Sequence, residues 1–148
     1  NLINLCRNFP EAEITGLDIS EDMLRVARKK LSRLTSKVTL LHKPYNQPLR
    51  SARPFDLIVF SYCLSMINPG WEHAIECAYC DLDGGGLIAV VDFNESPLPL
   101  LKRWMHLNHV RMDGHLVHEL KSCFQPRTLE IRRAYGGLWT YFIFIGEK

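Results

Sequence analysis

The stretch TGLDISEDMLRVARKKL, residues 15–31, passes from strand to helix within three residues, and that passage decides the fold. Residues Glu13 to Asp18 read as a short strand that closes on an aspartate, and Ser20 suits an N-cap, because its hydroxyl can accept an N–H left unpaired in a first helical turn. Glu21 and Asp22 fall in that first turn, where the helix dipole favours negative charge, and the helix is expected to run to about Leu34. Upstream, Leu2, Ile3, Leu5, Cys6 and Phe9 recur at helical spacing until Pro10 ends the pattern. The chain therefore opens as helix, strand, helix.

Working downstream, Val38 to His42 reads as a second strand, and KPYNQPLRSARP, residues 43–54, as a loop held irregular by three prolines. FDLIVFSYCLSMI, residues 55–67, begins as a near-continuous apolar run, the mark of a strand buried on both faces of a parallel sheet. A helix from Trp71 to Leu82 should follow, stopped by DGGG at 83–86, and LIAVVDF at 87–93 is another apolar strand ending in an acid. A helix from about Pro99 to Met112 leads to TLEIRRAYG and LWTYFIFIGEK, two strands whose short connection near Gly136 and Gly137 makes them antiparallel. The expected architecture is α/β and doubly wound, a mostly parallel sheet with an antiparallel C-terminal hairpin strand. Such sheets open on a strand and a glycine-rich loop before the first helix. Neither is present here, so the fold reads as N-terminally incomplete, with two unpaired strand edges that invite self-association.

At 148 residues and 47% hydrophobic content the chain has the size of a single domain, residues 1–148. A formal net charge of +2 permits contact with phosphates or anionic headgroups without calling for a nucleic-acid partner. Five cysteines, an odd number set mostly in apolar segments, point to a reducing, cytoplasmic setting. The pair in CAYC, residues 77–80, lacks the second pair a zinc site needs, and no metal is expected. No apolar run approaches the roughly 18 residues of a membrane span, so any membrane contact would be peripheral.

In open parallel sheets ligands bind beyond the carboxyl ends of the strands. An acid at the end of the second strand of such a sheet can accept hydrogen bonds from both hydroxyls of an adenosine ribose, and Asp18 stands there; the alternative is that it caps the following helix. A nicotinamide-dependent oxidoreductase would use an acid in the same place, and a binding module that kept the fold without catalysis is a third possibility.

TGLDISEDMLRVARKKL, PFDLIVFSYCLSMI, LDGGGLIAVVDF and the closing YGGLWTYFIFIGEK together resemble the class I S-adenosylmethionine-dependent methyltransferases, over nearly the whole chain. The likeness is strongest to the branch that includes quinone and lipid-headgroup methyltransferases. It implies an enzyme with S-adenosylmethionine as cofactor, Asp18 on the ribose, Ile19 and Met23 flanking the adenine, and Ser61 and Tyr62 beside the methionine portion and the transferred methyl. Where family members often place an acid after the third strand, this chain has Lys43, Pro44 and Tyr45, so the adenine contact there would fall to backbone or to Tyr45. Asp92 would face the acceptor, and Asp56 reads as structural.

Methyl transfer to an amine needs an aligned, desolvated acceptor more than a strong base, and aromatic faces can stabilise the growing ammonium. Tyr62, Trp104, Tyr135 and Trp139 are the candidates, Trp139 reading more as strand packing. His106 and His109, three apart, could share a helix face as metal ligands, for which no carboxylate stands at a supporting spacing, or as base and orienting partner, and Lys102, Arg103 and Arg111 suit an anionic, partly apolar acceptor. KRWMHLNHVRMDG followed by RRAYGGLWTYFIFIGEK is similar to enzymes that build methylated lipid headgroups, of the betaine-lipid or phosphatidylethanolamine type. The resemblance thus implies a lipid amine as acceptor.

Overall fold

The computed structural model of the chain describes residues 2–32 and 37–148, which group into two compact units, Asn1–Tyr45 and Asn46–Lys148. In the first unit, helix α1 (Leu2–Asn8) buries Cys6 and gives way at Pro10 to strand β1 (Ile14–Asp18). β1 pairs in parallel with β2 (Val38–His42), from Ile14 opposite Val38 to Asp18 opposite His42. Gly16 permits the packing here, since a Cβ would lie 2.9 Å from Leu40 and 3.0 Å from Leu2. Helix α2 (Glu21–Leu31) starts as its sequence dictates: the Ser20 hydroxyl accepts the Met23 N–H, and Arg28, Lys29 and Lys30 complement the dipole at its other end. The expected end near Leu34 lies outside the described residues.

The second unit is a four-stranded sheet in the order β3-β4-β6-β5. β3 (Phe55–Ser61) and β4 (Leu82–Phe93) are parallel, joined through helix α3 (Trp71–Asp81), which buries Trp71, Ala74, Ile75, Cys77 and Ala78. β6 (Trp139–Glu147) runs antiparallel to β4 and to β5 (Gln125–Ala134), as the short connection requires. Phe60, Leu64, Ile75, Ile88, Val90, Leu116, Leu120, Phe142 and Phe144 form the core of this unit. Sequence reading and structure agree on the sequence of strands and on the closing hairpin.

Four expectations need correction. DGGG does not separate α3 from a strand beginning at Leu87. β4 already starts at Leu82, and the step from Leu82 to Leu87 faces only Phe55 to Leu57 on β3, so the glycines form a bulge. Gly86 sits in it where a Cβ would come 3.0 Å from the Phe55 carbonyl. β3 is not buried on both faces, because it forms the edge of its sheet and leaves Leu57 and Val59 39% and 40% exposed. The helix expected to reach Met112 stops earlier: α4 spans Pro99–Leu107, Asn108 takes the cap, and His109 turns the chain at φ 62°. Val110 and Met112 then insert into the core. An unforeseen helix α5 (His115–Cys123) follows, whose signals were Gly114 at φ 73° and the buried pair Leu116 and Leu120, four apart. Among the described residues β1 pairs only with β2 and β3 only with β4.

Candidate active site

In the first unit the turn from β1 into α2 presents Asp18, half-buried, at the carboxyl end of its strand. One of its oxygens accepts the Ser20 N–H at 2.9 Å, so Asp18 does help shape the helix start. The cap itself belongs to Ser20, and the second carboxylate oxygen accepts no hydrogen bond among the described residues. A carboxylate has about four lone-pair sites, so paired hydroxyls can still be received here. Beside it lie two large apolar side chains uncovered by this unit, Ile19 at 72% and Met23 at 58% exposure, suited to a planar apolar face.

His42 also belongs to this turn, and sequence reasoning passed over it. Directly opposite Asp18 in the β1–β2 register, its Nε2 lies 3.0 Å from the Ile19 carbonyl and its Nδ1 3.2 Å from Glu21. The hydrogen bond from Arg28 holds the Glu21 carboxyl below its usual range against an opposing effect of desolvation, and the charges of Arg28, His42 and Arg25 act in the same direction as the hydrogen bond. Tyr45 follows, half-buried in the loop after β2.

In the second unit the candidate residues gather at the carboxyl ends of β3 and β4. Ser61 ends β3 half-buried, and Tyr62 turns the chain at φ 52°, its N–H bonded to the Val91 carbonyl at 2.8 Å. What holds this strained turn is Asp92. The expectation that Asp92 faces the acceptor is corrected: alternation along β4 puts it on the same face as Ile88 and Val90, and it is fully buried. Its oxygens accept the Ser65 hydroxyl at 2.6 Å and the N–H groups of Phe93 (2.8 Å), Cys63 (3.1 Å) and Ser65 (3.2 Å). Asp92 thus ties the 62–65 loop to the end of β4.

Four aromatic rings run from that loop to the hairpin turn. Tyr62 meets Phe93 edge-on with centroids 5.0 Å apart, Phe93 meets Trp139 at 6.1 Å, and Trp139 meets Tyr135 at 4.8 Å. The row joins two expected site residues, Tyr62 and Tyr135, through Phe93, which sequence reasoning missed, and Trp139. Tyr135 is 76% exposed at its outer end. Burial, with the nearby Tyr141, Asp92 and Tyr135, pushes the Tyr62 hydroxyl above the usual phenol range, so it stays protonated at and around neutral pH. Next to Tyr135 opens a groove of about 450 Å³ lined by Glu95, Ser96, Pro97, Arg133, Gly136, Gly137 and Thr140.

The segment around α4 departs further from expectation. His106 is still helical but His109 lies beyond the cap, so the two do not share a helix face; both are exposed. Arg111 is committed rather than open to a substrate: its Nε donates to Asp113 at 2.7 Å, and the other Asp113 oxygen meets His115 Nδ1. The His115 ring packs edge-on against Trp71 at 4.6 Å. Trp104 is 59% exposed on α4 and makes no ring contact among the described residues.

Burial pushes the Asp113 carboxyl up, but the hydrogen bonds from Arg111 and His115 outweigh it, and the net shift is downward. A lowered folded-state pKa contributes stability above the ordinary carboxylate range, and this is lost as pH falls through the folded value. Asp113→Asn should therefore cost about 1 kcal/mol at pH 7, a figure reduced because the group is partly solvated. Urea unfolding of both proteins at pH 7 and near pH 3 should show that difference closing at the lower pH.

A model of the family described as methyltransferase domain matches residues 1–86. Among solved structures, the chain is similar to the N-methyltransferase NodS from Bradyrhizobium japonicum WM9, with 17% identity, TM-score 0.74, and coverage of 90% of this chain and 72% of that one. NodS is also known in complex with S-adenosylhomocysteine. A SAM-dependent methyltransferase from Methanosarcina mazei is similar at 18% identity and TM-score 0.73, over 90% of this chain and 81% of that one. The [4+2]-cyclase SpnF is similar at 15% identity and TM-score 0.81, over 99% and 70%. At these identities the structural likenesses establish the fold, the Rossmann-like methyltransferase type. No curated protein matches the chain.

Proposed function

Since the chain belongs to the methyltransferase-domain family and is an S-adenosylmethionine-dependent methyltransferase, we propose that it methylates the nitrogen of an amine, of the kind found in lipid headgroups. The fold by itself does not choose the reaction, as its likeness to a [4+2]-cyclase illustrates. The choice rests on the row Tyr62–Phe93–Trp139–Tyr135. That NodS, one of the similar structures, is an N-methyltransferase favours the same reading.

In the first unit the residues suited to the cofactor's nucleoside are Asp18, for the ribose hydroxyls, and Ile19 and Met23, for the adenine faces. S-adenosylmethionine supplies an electrophilic methyl on a sulfonium, whose C–S electrons stay with sulfur as the acceptor nitrogen's lone pair forms the new N–C bond. In the second unit the protein's task is to present a neutral amine and to stabilise the charge growing on it. Each ring face contributes roughly 0.5–2 kcal/mol to a developing ammonium. Tyr62, protonated and held at the end of β3 by the Asp92-bonded loop, can accept an N–H from the amine and so turn its lone pair outward. The product ammonium releases its proton to water at the exposed end of the row.

The test is transfer of labelled methyl from S-adenosylmethionine to a panel of amines, alcohols and thiols. Labelling of alcohols or thiols with amines left unlabelled would overturn the reading. Tyr62→Phe should lower kcat/KM about tenfold, the worth of one neutral hydrogen bond. Because the hydroxyl stays protonated below its ordinary value, the same variant should leave the pH profile unshifted up to about pH 9.

A lipid acceptor is favoured by α4. Leu100, Trp104 and Leu107, at helical spacing, are 84%, 59% and 73% exposed. α4 carries Lys102 and Arg103 and no acid. Trp and Leu beside Lys and Arg suit the boundary of an anionic bilayer. No helix among the described residues is long and apolar enough to cross a membrane, so the contact proposed is with the surface, on the cytoplasmic side. Trp104 emission should move to shorter wavelength on vesicles of phosphatidylethanolamine and phosphatidylglycerol, and Leu100→Glu should abolish that shift. An unmoved spectrum would leave a water-soluble amine as the acceptor.

A further inference from the structure

The groove beside Tyr135 is lined by two residues of opposite charge, Glu95 and Arg133, that form no ion pair among the described residues. The contrast along β5 is informative. Arg127 is paired with Glu147 and Arg132 with Glu130, whereas Arg133, with the same flexible reach, has no acidic partner among the described residues.

The walls of the groove are braced. Thr140 anchors the 94–96 segment to β6: its N–H donates to the Glu95 carbonyl at 2.6 Å, its hydroxyl lies 3.1 Å from the Glu95 N–H, and its carbonyl accepts from Asn94 at 2.9 Å. The Ser96 hydroxyl, buried, donates to the Leu138 carbonyl at 2.6 Å and accepts the Leu98 N–H at 3.1 Å. The opposite wall is the 135–137 turn, whose glycines bring no side chain into the space. A groove lined by a glutamate and an arginine, with an aromatic row at its margin, suits a molecule carrying both charges. Arginine's planar fork matches carboxylate and phosphate oxygens, and carboxylate and ring faces both favour a nitrogen gaining positive charge.

We propose that the Glu95–Arg133 groove selects a zwitterionic acceptor, an amine whose own phosphoryl or carboxylate group is held by Arg133 while its nitrogen lies toward Glu95 and the aromatic row. This rests on the amine-methylation reading and narrows its substrate class. A lipid headgroup and a small soluble zwitterion share this chemistry.

Calorimetric titration tests it without requiring turnover. The probes are phosphoethanolamine and β-alanine, which carry an anion, and ethanolamine, which does not, each added to protein saturated with S-adenosylhomocysteine. At least one zwitterion should bind ten times or more tighter than ethanolamine. Arg133→Ala should remove that advantage while leaving ethanolamine unchanged, Arg133→Lys should restore part of it, and Glu95→Gln should weaken all three. Equal urea midpoints for the arginine variants and the parent guard against a folding effect. Vesicles of phosphatidylethanolamine with and without Arg133→Ala separate the sources: sensitivity there with weak soluble binding marks a lipid, and the reverse a free metabolite. Zwitterions that bind no better than ethanolamine, or an advantage that survives Arg133→Ala, overturn the inference. If S-adenosylhomocysteine binds and the panel amines are methylated regardless, only this inference falls; if neither occurs, the amine-methylation reading falls with it.

Discussion

Asp92→Ala is expected to destabilise the protein by about 3–5 kcal/mol and to abolish methyl transfer. The carboxylate is fully buried and gathers three backbone N–H groups and one hydroxyl onto its two oxygens. Truncation leaves those donors without a partner, and each unpaired buried donor costs about 1–3 kcal/mol, less whatever relaxation or entering water recovers. Against a total stability of about 5–15 kcal/mol, that is a large share. Asp92→Asn keeps the shape but turns an amide NH₂ toward one or two of the donors, so it should fall between parent and alanine. The measurement is the urea midpoint followed by tryptophan fluorescence, in which buried Trp71 reports on the same unit. A loss under about 1 kcal/mol for the alanine variant would show that the loop stands without Asp92.

Asp18→Ala is expected to do the opposite: large loss of cofactor affinity with little loss of stability. Two hydrogen bonds from hydroxyls to a carboxylate, at about 1.5–3 kcal/mol each, correspond to roughly a 10²–10⁴-fold weaker Kd for S-adenosylhomocysteine. Among the described residues Asp18 supports only the Ser20 N–H, and the helix start retains its serine cap, so the midpoint stability should move by less than about 1 kcal/mol. An affinity within threefold of the parent would remove Asp18 from the cofactor site. Taken together, the two aspartates at strand ends separate support from contact: one acts from inside the unit, the other from its surface.

Both were visible in the sequence as acids closing apolar strands, and nothing in that pattern told them apart. The difference comes from alternation. One face of β4 is buried and the other only partly covered, and alternation places residue 92 with Ile88 and Val90 on the buried side. Asp18 ends a five-residue strand at a turn and stays half-buried. The error over His106 and His109 has a similar origin. Helical spacing continues through Val110 and Met112, but those side chains are drawn into the core by a chain that has already left the helix at Asn108. α5 went unread because His115–Cys123 is short and its apolar face is only two residues wide.

The local pattern of the chain was sufficient to determine the alternation of strands and helices, the Ser20 cap, the closing antiparallel hairpin and the strand-end aspartate, since each depends on neighbours within a few residues. Only the tertiary structure could decide which residues meet across long stretches of chain. Tyr62, Phe93, Tyr135 and Trp139 become one row because β4 pairs with β3 on one side and β6 on the other. Glu95 and Arg133 come to line one groove because Thr140 and Ser96 fasten the segment after β4 to β6, whose Thr140 stands opposite Arg133. Such juxtapositions are set by strand register and by hydrogen bonds between distant segments, and periodicity along the chain carries no record of either.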